Sequence, residues 1–444
     1  MLESLTPHGK LKILELHRYS GLKIPQWMRD PQMLQCLTTL RISNCLGCKD
    51  LSTLWLSVSL EHLQLSRMDN LTTLCKNVGV GAEGYTIPQQ VFPKLKSLKL
   101  ELLFSLEKWA ENTAGESKNL VTFPELEMLQ IIRCSKLASV PDCPVLKELD
   151  RFGSYMLAMN ELTHLTSLSK LNYVANSLCD CVSMPLGSWP SLVELVLRSS
   201  THIPTTLQVE ANQGQLEYLR SLSLVNCFTA ASGSSEMRLG LWKCFAFVEV
   251  LHIHMCLSLV CWPTEELMSL IHLRHLYIEH CHILEGKGSS SEEKFMSLSH
   301  LERLHIQHCY NLLEIPMLPA SLQDMRLESC RRLVALPSNL GNLAMLRHLY
   351  LMNCYVLKDL PDGMDGLVSL KILEIQACAE IEEFPQGLLQ RLPTLKELSI
   401  QGCPGLETRC REGGEYFDLV SSVQRICIPA AAKTEMEEIS RSGI

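Results

Sequence analysis

Sixteen times between Leu11 and Leu395 the chain returns to one nine-residue line, LxxLxLxxC, at a mean spacing near 26 residues. Nothing else in the sequence restricts the fold so tightly. A unit of this length cannot bury its apolar side alone and has to stack on copies of itself. The clearest copies are Leu301/Leu304/Ile306/Cys309, Leu322/Met325/Leu327/Cys330, Leu346/Leu349/Leu351/Cys354, Leu370/Leu373/Ile375/Cys378 and Leu395/Leu398/Ile400/Cys403, with starts 21, 24, 24 and 25 residues apart. Earlier copies start at Leu11, Leu37, Leu60, Leu95, Leu126, Leu192, Leu219, Val248 and Leu273, with weak ones at Leu146 and Leu165. The period accounts for the composition: 82 of the 444 residues are leucine while aromatics are 6%, so one aliphatic side chain supplies most of the core.

In xLxLx the two leucines alternate and point to one face of a short strand, the intervening residues to the other. Successive strands stack in parallel, and the returning segment has the wider footprint, so the array bends. This line is the leucine-rich repeat. It predicts an α/β repeat solenoid, a horseshoe of about 15 to 16 turns with a parallel β-sheet on the concave face and irregular, 3-10 or short helical convex segments. The ninth position closes the strand and turns inward, where a small side chain that hydrogen-bonds backbone is favoured. It is cysteine in ten copies: Cys45, Cys134, Cys227, Cys256, Cys281, Cys309, Cys330, Cys354, Cys378 and Cys403. Pro141, Pro263, Pro316, Pro337, Pro361 and Pro385 each lie fifteen residues after a repeat start, suiting a convex segment that needs no amide donor.

The spacing divides the chain into N-terminal repeats (1–150), degenerate repeats (151–190), C-terminal repeats with a cap (191–429) and a flexible, charged tail (430–444). Long spacings predict surface insertions around Gly79–Ala82, between Ala110 and Phe123, between Thr229 and Ala246, and in the Ser-rich stretch after Glu285. A net charge of −8 argues against a dedicated nucleic-acid partner. No run of 18 apolar residues suggests a membrane span, and no export signal opens the chain, so a cytoplasmic location with reduced thiols is expected.

Strands ending in Cys and continuing LxxLP, the irregular 21-to-35 spacing, and the segment Tyr19-Ser-Gly-Leu-Lys-Ile-Pro25-Gln-Trp27-Met28 resemble the leucine-rich-repeat region of plant nucleotide-binding leucine-rich-repeat disease-resistance proteins of the coiled-coil type. The segments Gly402–Glu407, Arg409–Gly413 and Ile426–Pro429 are similar to that family's C-terminal end. Where the family shows a Trp before the last apolar run, this chain has Tyr416 and Phe417. The resemblance implies a non-catalytic sensor of innate immunity that binds a pathogen effector or a modified host protein. It also implies contact with the nucleotide-binding domain of a receptor. No GxxxxGK[ST] loop is present and Gly286-Lys287-Gly288 lacks its spacing, so no nucleotide or other cofactor is expected. The competing reading, an F-box-like substrate adaptor of a ubiquitin ligase, calls for evener repeats and a continuation after Cys that differs from LxxLP. An extracellular ectodomain calls for more sequons than Asn70-Leu-Thr72.

No HExxH or GxSxG motif points to an enzyme. Cys45-Leu-Gly-Cys48 and Cys179-Asp-Cys181 have metal-like spacing, but no second pair follows, so structural thiols are the expectation. The informative positions are the outward strand residues. The fifth forms a column of His252, Tyr277, His305, Arg326, Tyr350, Glu374 and Ser399; the eighth includes Met255, His280, His308, Ser329 and Asn353; His275 and His348 lie beside them. Stacked strands place His280 and His308 near enough for a shared metal ion, but no acidic ligand closes the set. The expected partner-binding residues are His252, Tyr277, His280, His305, His308, Arg326, His348, Tyr350 and Glu374, because Tyr and Arg are enriched at binding hot spots.

Overall fold

A computed structural model describes residues 8–29, 34–51, 54–78, 89–112, 121–154, 156–175, 181–199, 206–209, 216–227, 242–286, 296 and 298–429. The Gly79–Ala82 insertion, most of the segments after Ala110 and Thr229, the Ser-rich stretch, Cys179 and the 430–444 tail lie outside the described residues. The chain forms two compact units, Met1–Val248 and Glu249–Ile444.

Unit 1 contains, in chain order, β1 (Ile13–His17), β2 (Thr39–Ser43), β3 (His62–Ser66), β4 (Thr73–Val78), β5 (Gln89–Gln90), β6 (Ser97–Glu101), β7 (Lys108–Asn112) and β8 (Val121–Thr122). It continues with β9 (Met128–Ile132), β10 (Glu148–Phe152), β11 (Lys170–Ala175), β12 (Cys181–Met184), β13 (Glu194–Ser199), β14 (Thr206–Val209) and β15 (Ser221–Val225). Nine of these strands, one per repeat, run parallel in the order β1-β2-β3-β6-β9-β10-β11-β13-β15. The long spacings carry more than insertions: β4 pairs with β7, β5 with β8 and β12 with β14, also in parallel.

Unit 2 is more uniform. Its strands β16 (Val250–His254), β17 (His275–Glu279), β18 (Arg303–Gln307), β19 (Asp324–Glu328), β20 (His348–Met352), β21 (Ile372–Gln376), β22 (Glu397–Gln401) and β23 (Arg425–Cys427) pair in sequence order. The returning segments hold short helices (Thr264–Met268, Gln386–Arg391) or 3-10 turns (Leu340–Asn342, Met364–Gly366). Leu276, Ile278, Leu304, Ile306, Leu349 and Leu351 are fully buried. Each such side chain contributes roughly 1.5–3 kcal/mol, so a ladder of two per strand is what holds successive repeats together.

Seven of the ninth-position thiols share one bonding pattern. Cys309 Sγ donates to the Ile278 carbonyl (3.8 Å) of the preceding strand and the Gln307 carbonyl (3.5 Å) of its own. Cys45, Cys134, Cys281, Cys330, Cys378 and Cys403 repeat this pattern. The sulfur also accepts: Tyr19 N donates to Cys45 Sγ and Cys378 N to Cys403 Sγ. In the repeat starting at Leu146, Ser154 Oγ takes the thiol's place and accepts from Cys134 N at 3.1 Å. Cys48, the second member of the CxxC, is buried and contacts the Asp50 carbonyl.

Two features differ from the sequence expectation. The repeat assigned to Leu165 starts at Leu168: Leu149 pairs with Leu171 and Arg151 with Tyr173. The difference has a physical cause, because the sixth, inward position holds Arg151 and Tyr173 in these two repeats instead of aliphatic residues. Arg151 is completely buried, its guanidinium 4.5 Å from the Tyr173 ring centroid and hydrogen-bonded to the Val174 and Ser154 carbonyls. The second feature is a further repeat start at Val423, which adds β23 to the sheet. It follows a cap in which Tyr416 stacks on Phe384 (5.7 Å) and the buried Glu407 accepts from Cys403 N and pairs with Arg411 (2.6 Å).

Candidate recognition surface

Strand register decides which outward side chains become neighbours. In unit 2 the fifth positions fall into line as His252↔Tyr277↔His305↔Arg326↔Tyr350↔Glu374↔Ser399. Parallel neighbours lie about 4.8 Å apart, close enough for ring contact. His252 stacks on Tyr277, with centroids 4.3 Å apart and planes at 5°. Tyr277 meets His305 edge to face at 5.0 Å, and the Arg326 guanidinium lies 4.6 Å from the Tyr350 centroid. Such contacts fix the side chains in single orientations.

Arg326 has no carboxylate partner among the described residues, and its buried Nε has no hydrogen-bond partner. Asp324, the first residue of the same strand and the third of its repeat, is held by His305 Nε2 at 2.7 Å and by His348 Nδ1 at 3.0 Å. Burial alone would raise the Asp324 pKa, but these two hydrogen bonds and the charges behind them outweigh it and keep the carboxyl below its ordinary value. His348 therefore belongs to the column next to the predicted one, paired in register with Asp324 and joined to His305 through it. Tyr350 is raised, first by burial and then by the Asp324 charge.

The eighth position has a property that alternation does not reveal. Met255, His280, His308, Ser329, Asn353 and Ala377 all have φ between 50° and 57°, the left-handed region, and Gly402 follows with φ 66°. The chain turns there, directing His280 and His308 to the edge where each strand ends. Their rings stack at 4.6 Å with planes 21° apart. Faces, not nitrogen lone pairs, are turned to one another, and among the described residues no group of three or more His, Cys, Asp or Glu is arranged for a metal ion. His254 touches His280 edge to face, His282 stacks on Tyr310 at 4.7 Å, and Arg331 lies over the other side of Tyr310. Burial, followed by the charges of His308, His254 and His282, holds the His280 pKa below its ordinary value.

Six predicted residues (His252, Tyr277, His305, Arg326, Tyr350 and Glu374) thus share one column, with His348 beside it and His280 and His308 at the strand ends. Asp324, His254, His282, Tyr310 and Arg331 were not anticipated. His282, Tyr310, Arg331 and Tyr355 all stand at the tenth position, immediately after the ladder cysteine, so the same alignment carries a signal for them.

Burial pushes Cys134 up to about 11 and Cys410 up to about 12. No helix among the described residues is long and apolar enough to cross a membrane.

A sequence model of the R13L1/DRL21 leucine-rich repeats matches residues 1–68. Over 196 residues the chain is 29% identical to the putative disease resistance protein RGA4 of Solanum bulbocastanum, covering 44% of this chain and 19% of that protein. It is 26% identical over 240 residues to the putative disease resistance RPP13-like protein 1 of Arabidopsis thaliana, covering 51% of this chain and 22% of that protein. The chain spans about a fifth of the length of these relatives. Among solved structures it is similar to the chain in the TLR13–ssRNA13 complex, with a TM-score of 0.56 at 15% identity, covering 98% of this chain and 68% of that one, a likeness of fold. With the repeat register, the thiol ladder and these relatives in agreement, the chain is a leucine-rich-repeat solenoid whose sequence is similar to plant proteins named for disease resistance.

Proposed function

We propose that the chain is a non-catalytic recognition module of plant defence that binds a pathogen effector or a host protein altered by one. The fifth-position column of unit 2 makes the contact. The observation carrying this reading is the unbroken row His252, Tyr277, His305, Arg326 and Tyr350, held by strand register and mutual stacking. Tyr and Arg dominate binding hot spots. A sheet that already orients them spares the ordering cost of a flexible surface.

The relatives supply the setting, since the matched stretches lie in proteins named for disease resistance. In a longer protein of that type, the repeats would also contact a nucleotide-binding domain. The ligand would then shift that equilibrium only through contacts that differ between its two states. A cytoplasmic location belongs to this reading, because the ladder thiols stay reduced there.

The test compares capture of proteins from pathogen-challenged leaf extract by the tagged chain and by a variant carrying Tyr277→Ala, Arg326→Glu and Tyr350→Ala. We expect the variant to lose the proteins the parent retains. Equal capture by both sinks the reading.

A further inference from the structure

The second position of the repeat, just before the strand, shows a rule and one exception. Read down the sequence it runs Lys12, Thr38, Glu61, Lys96, Glu127, Lys147, Ser169, Val193, Arg220, Glu249, Arg274, Glu302, Gln323, Arg347, Lys371, Lys396, Gln424. Within each unit, successive repeats put opposite charges side by side, or leave at least one of the two residues neutral. Several of these pairs close: Lys96 with Glu61 at 3.1 Å, Lys147 with Glu127 at 2.9 Å, and Arg274 with Glu302 at 3.0 Å.

Arg347, Lys371 and Lys396 break the rule, with three cations in a row. Backbone bonds show that they are true neighbours: Lys371 N donates to the Arg347 carbonyl and Lys396 N to the Lys371 carbonyl, both at 2.8 Å. None of the three has an ion pair among the described residues. Glu397, the closest carboxylate in sequence, is held by Arg425 at 3.1 Å. Lys371 and Lys396 instead line an open depression of about 550 Å³ with His348, Ile372, Gln424, Arg425 and the Glu397 carboxylate that Arg425 already holds. Like charges on neighbouring strands oppose folding, and every other repeat avoids them. The arrangement is therefore unfavourable in the free chain and becomes favourable when an anion spans it.

We infer that the Arg347–Lys371–Lys396 row binds an acidic peptide segment of the partner, in extended conformation with two or more carboxylates on one side. The inference deepens the reading of the unit 2 strand face as a protein-recognition surface and rests on it. Alternate residues of an extended chain lie roughly 6.7 Å apart on one face, and three strands span roughly 9.6 Å, so two carboxylates fit the row. A peptide is favoured over a nucleic acid because the row is short and the whole chain carries a net charge of −8, which repels a long polyanion.

The experiment measures fluorescence anisotropy with the full chain and three labelled probes: a decapeptide alternating Glu and Ser, one alternating Lys and Ser, and a single-stranded DNA of the same charge as the first. Lys371→Glu restores the alternation seen elsewhere. We expect it to weaken binding of the Glu–Ser peptide by roughly tenfold or more. It should also raise the melting temperature of the free chain by about 1–2 °C. Lys371→Gln should do half of each. Binding unaffected by Lys371→Glu, no preference for Glu–Ser over Lys–Ser, or DNA bound as tightly as the acidic peptide overturns the inference. A melting temperature lowered by both substitutions also overturns it. The Tyr277→Ala/Tyr350→Ala variant separates the two readings. If it loses partner capture while Lys371→Glu leaves peptide binding intact, only the acidic-segment inference fails; if it keeps partner capture, the column reading fails.

Discussion

The Arg151 guanidinium lies 4.5 Å above the Tyr173 ring inside unit 1, at the inward ladder position that elsewhere holds leucine or isoleucine. Its charge is spread over an aromatic face and two carbonyl oxygens, those of Val174 and Ser154. Lysine keeps the charge but cannot stack flat and reach two diverging acceptors together. We expect Arg151→Lys to lower unfolding stability by about 1–3 kcal/mol and Arg151→Ala by about 2–4 kcal/mol, through a cavity and two stranded carbonyls. Urea unfolding followed by tryptophan fluorescence measures both. An Arg151→Lys variant as stable as the parent would remove the stacked pair from the account of the fold.

The left-handed eighth position offers a paired test in unit 2. Ala377 has φ 50° and Gly402 has φ 66°, with a Cβ added at Gly402 falling 3.3 Å from the Ala377 Cα. Left-handed backbone costs a residue with a side chain about 1–2 kcal/mol, and the looser unfolded chain of a glycine variant offsets about 0.4–1 kcal/mol of the relief. Ala377→Gly should therefore gain up to about 1 kcal/mol and Gly402→Ala should lose at least as much. Opposite shifts in melting temperature are the expected sign.

Thiol reactivity should divide the cysteines by burial. Cys36, Cys261 and Cys427 are exposed, whereas the ladder thiols are buried. A chromogenic disulfide reagent at pH 8 should modify Cys36, Cys261 and Cys427 quickly and leave Cys134 and Cys410 untouched until denaturant is added. The raised pKa values set a sign for alkaline stability. The unfolded chain releases these protons near the ordinary value of 9.0, while the folded chain holds those of Cys134 to about 11 and Cys410 to about 12. Stability from these groups is full below pH 9 and falls as the pH climbs from there toward 12.

His280 sets the corresponding sign on the acid side. Its folded pKa is below 6.5 because of burial and then the neighbouring His308, His254 and His282 charges, so protonation favours the unfolded chain. The contribution is full above pH 6.5 and is lost as the pH falls through the lowered value. His308→Asn removes the strongest of the neighbouring charges. A proton-NMR titration should then show the His280 midpoint moving up, toward 6.5; an unmoved midpoint would mean the stacked partner has no electrostatic hold on it.

Most of the repeat register was readable because period-two alternation and recurrent spacing both survive in unit 2, down to the Tyr277, Arg326 and Tyr350 alignment. It was lost at Leu168, where Arg151 and Tyr173 occupy apolar positions and find each other. No local pattern distinguishes a buried arginine with an aromatic partner from an exposed one. The turn at the eighth position was hidden by the variety of its occupants, although Asn44, Gly153, Asn226, Asn353 and Gly402 recur there and are the residues that adopt left-handed backbone most readily. Asp324 was missed because its role depends on two histidines from different strands. Proximity of that kind is set by register and is invisible to a motif search.

The thiol ladder also bears on how such an array changes length. Seven of the ladder sulfurs reach back to the strand before them, and those of Cys45 and Cys403 also accept from backbone of the preceding repeat, so these bonds join neighbouring repeats. Duplicating or deleting a whole repeat leaves every such bond with an equivalent partner, while an insertion within the nine-residue line severs one. The joint between repeats is thus interchangeable, and an array built on it can lengthen or shorten in units of one turn while the outward column is free to diverge.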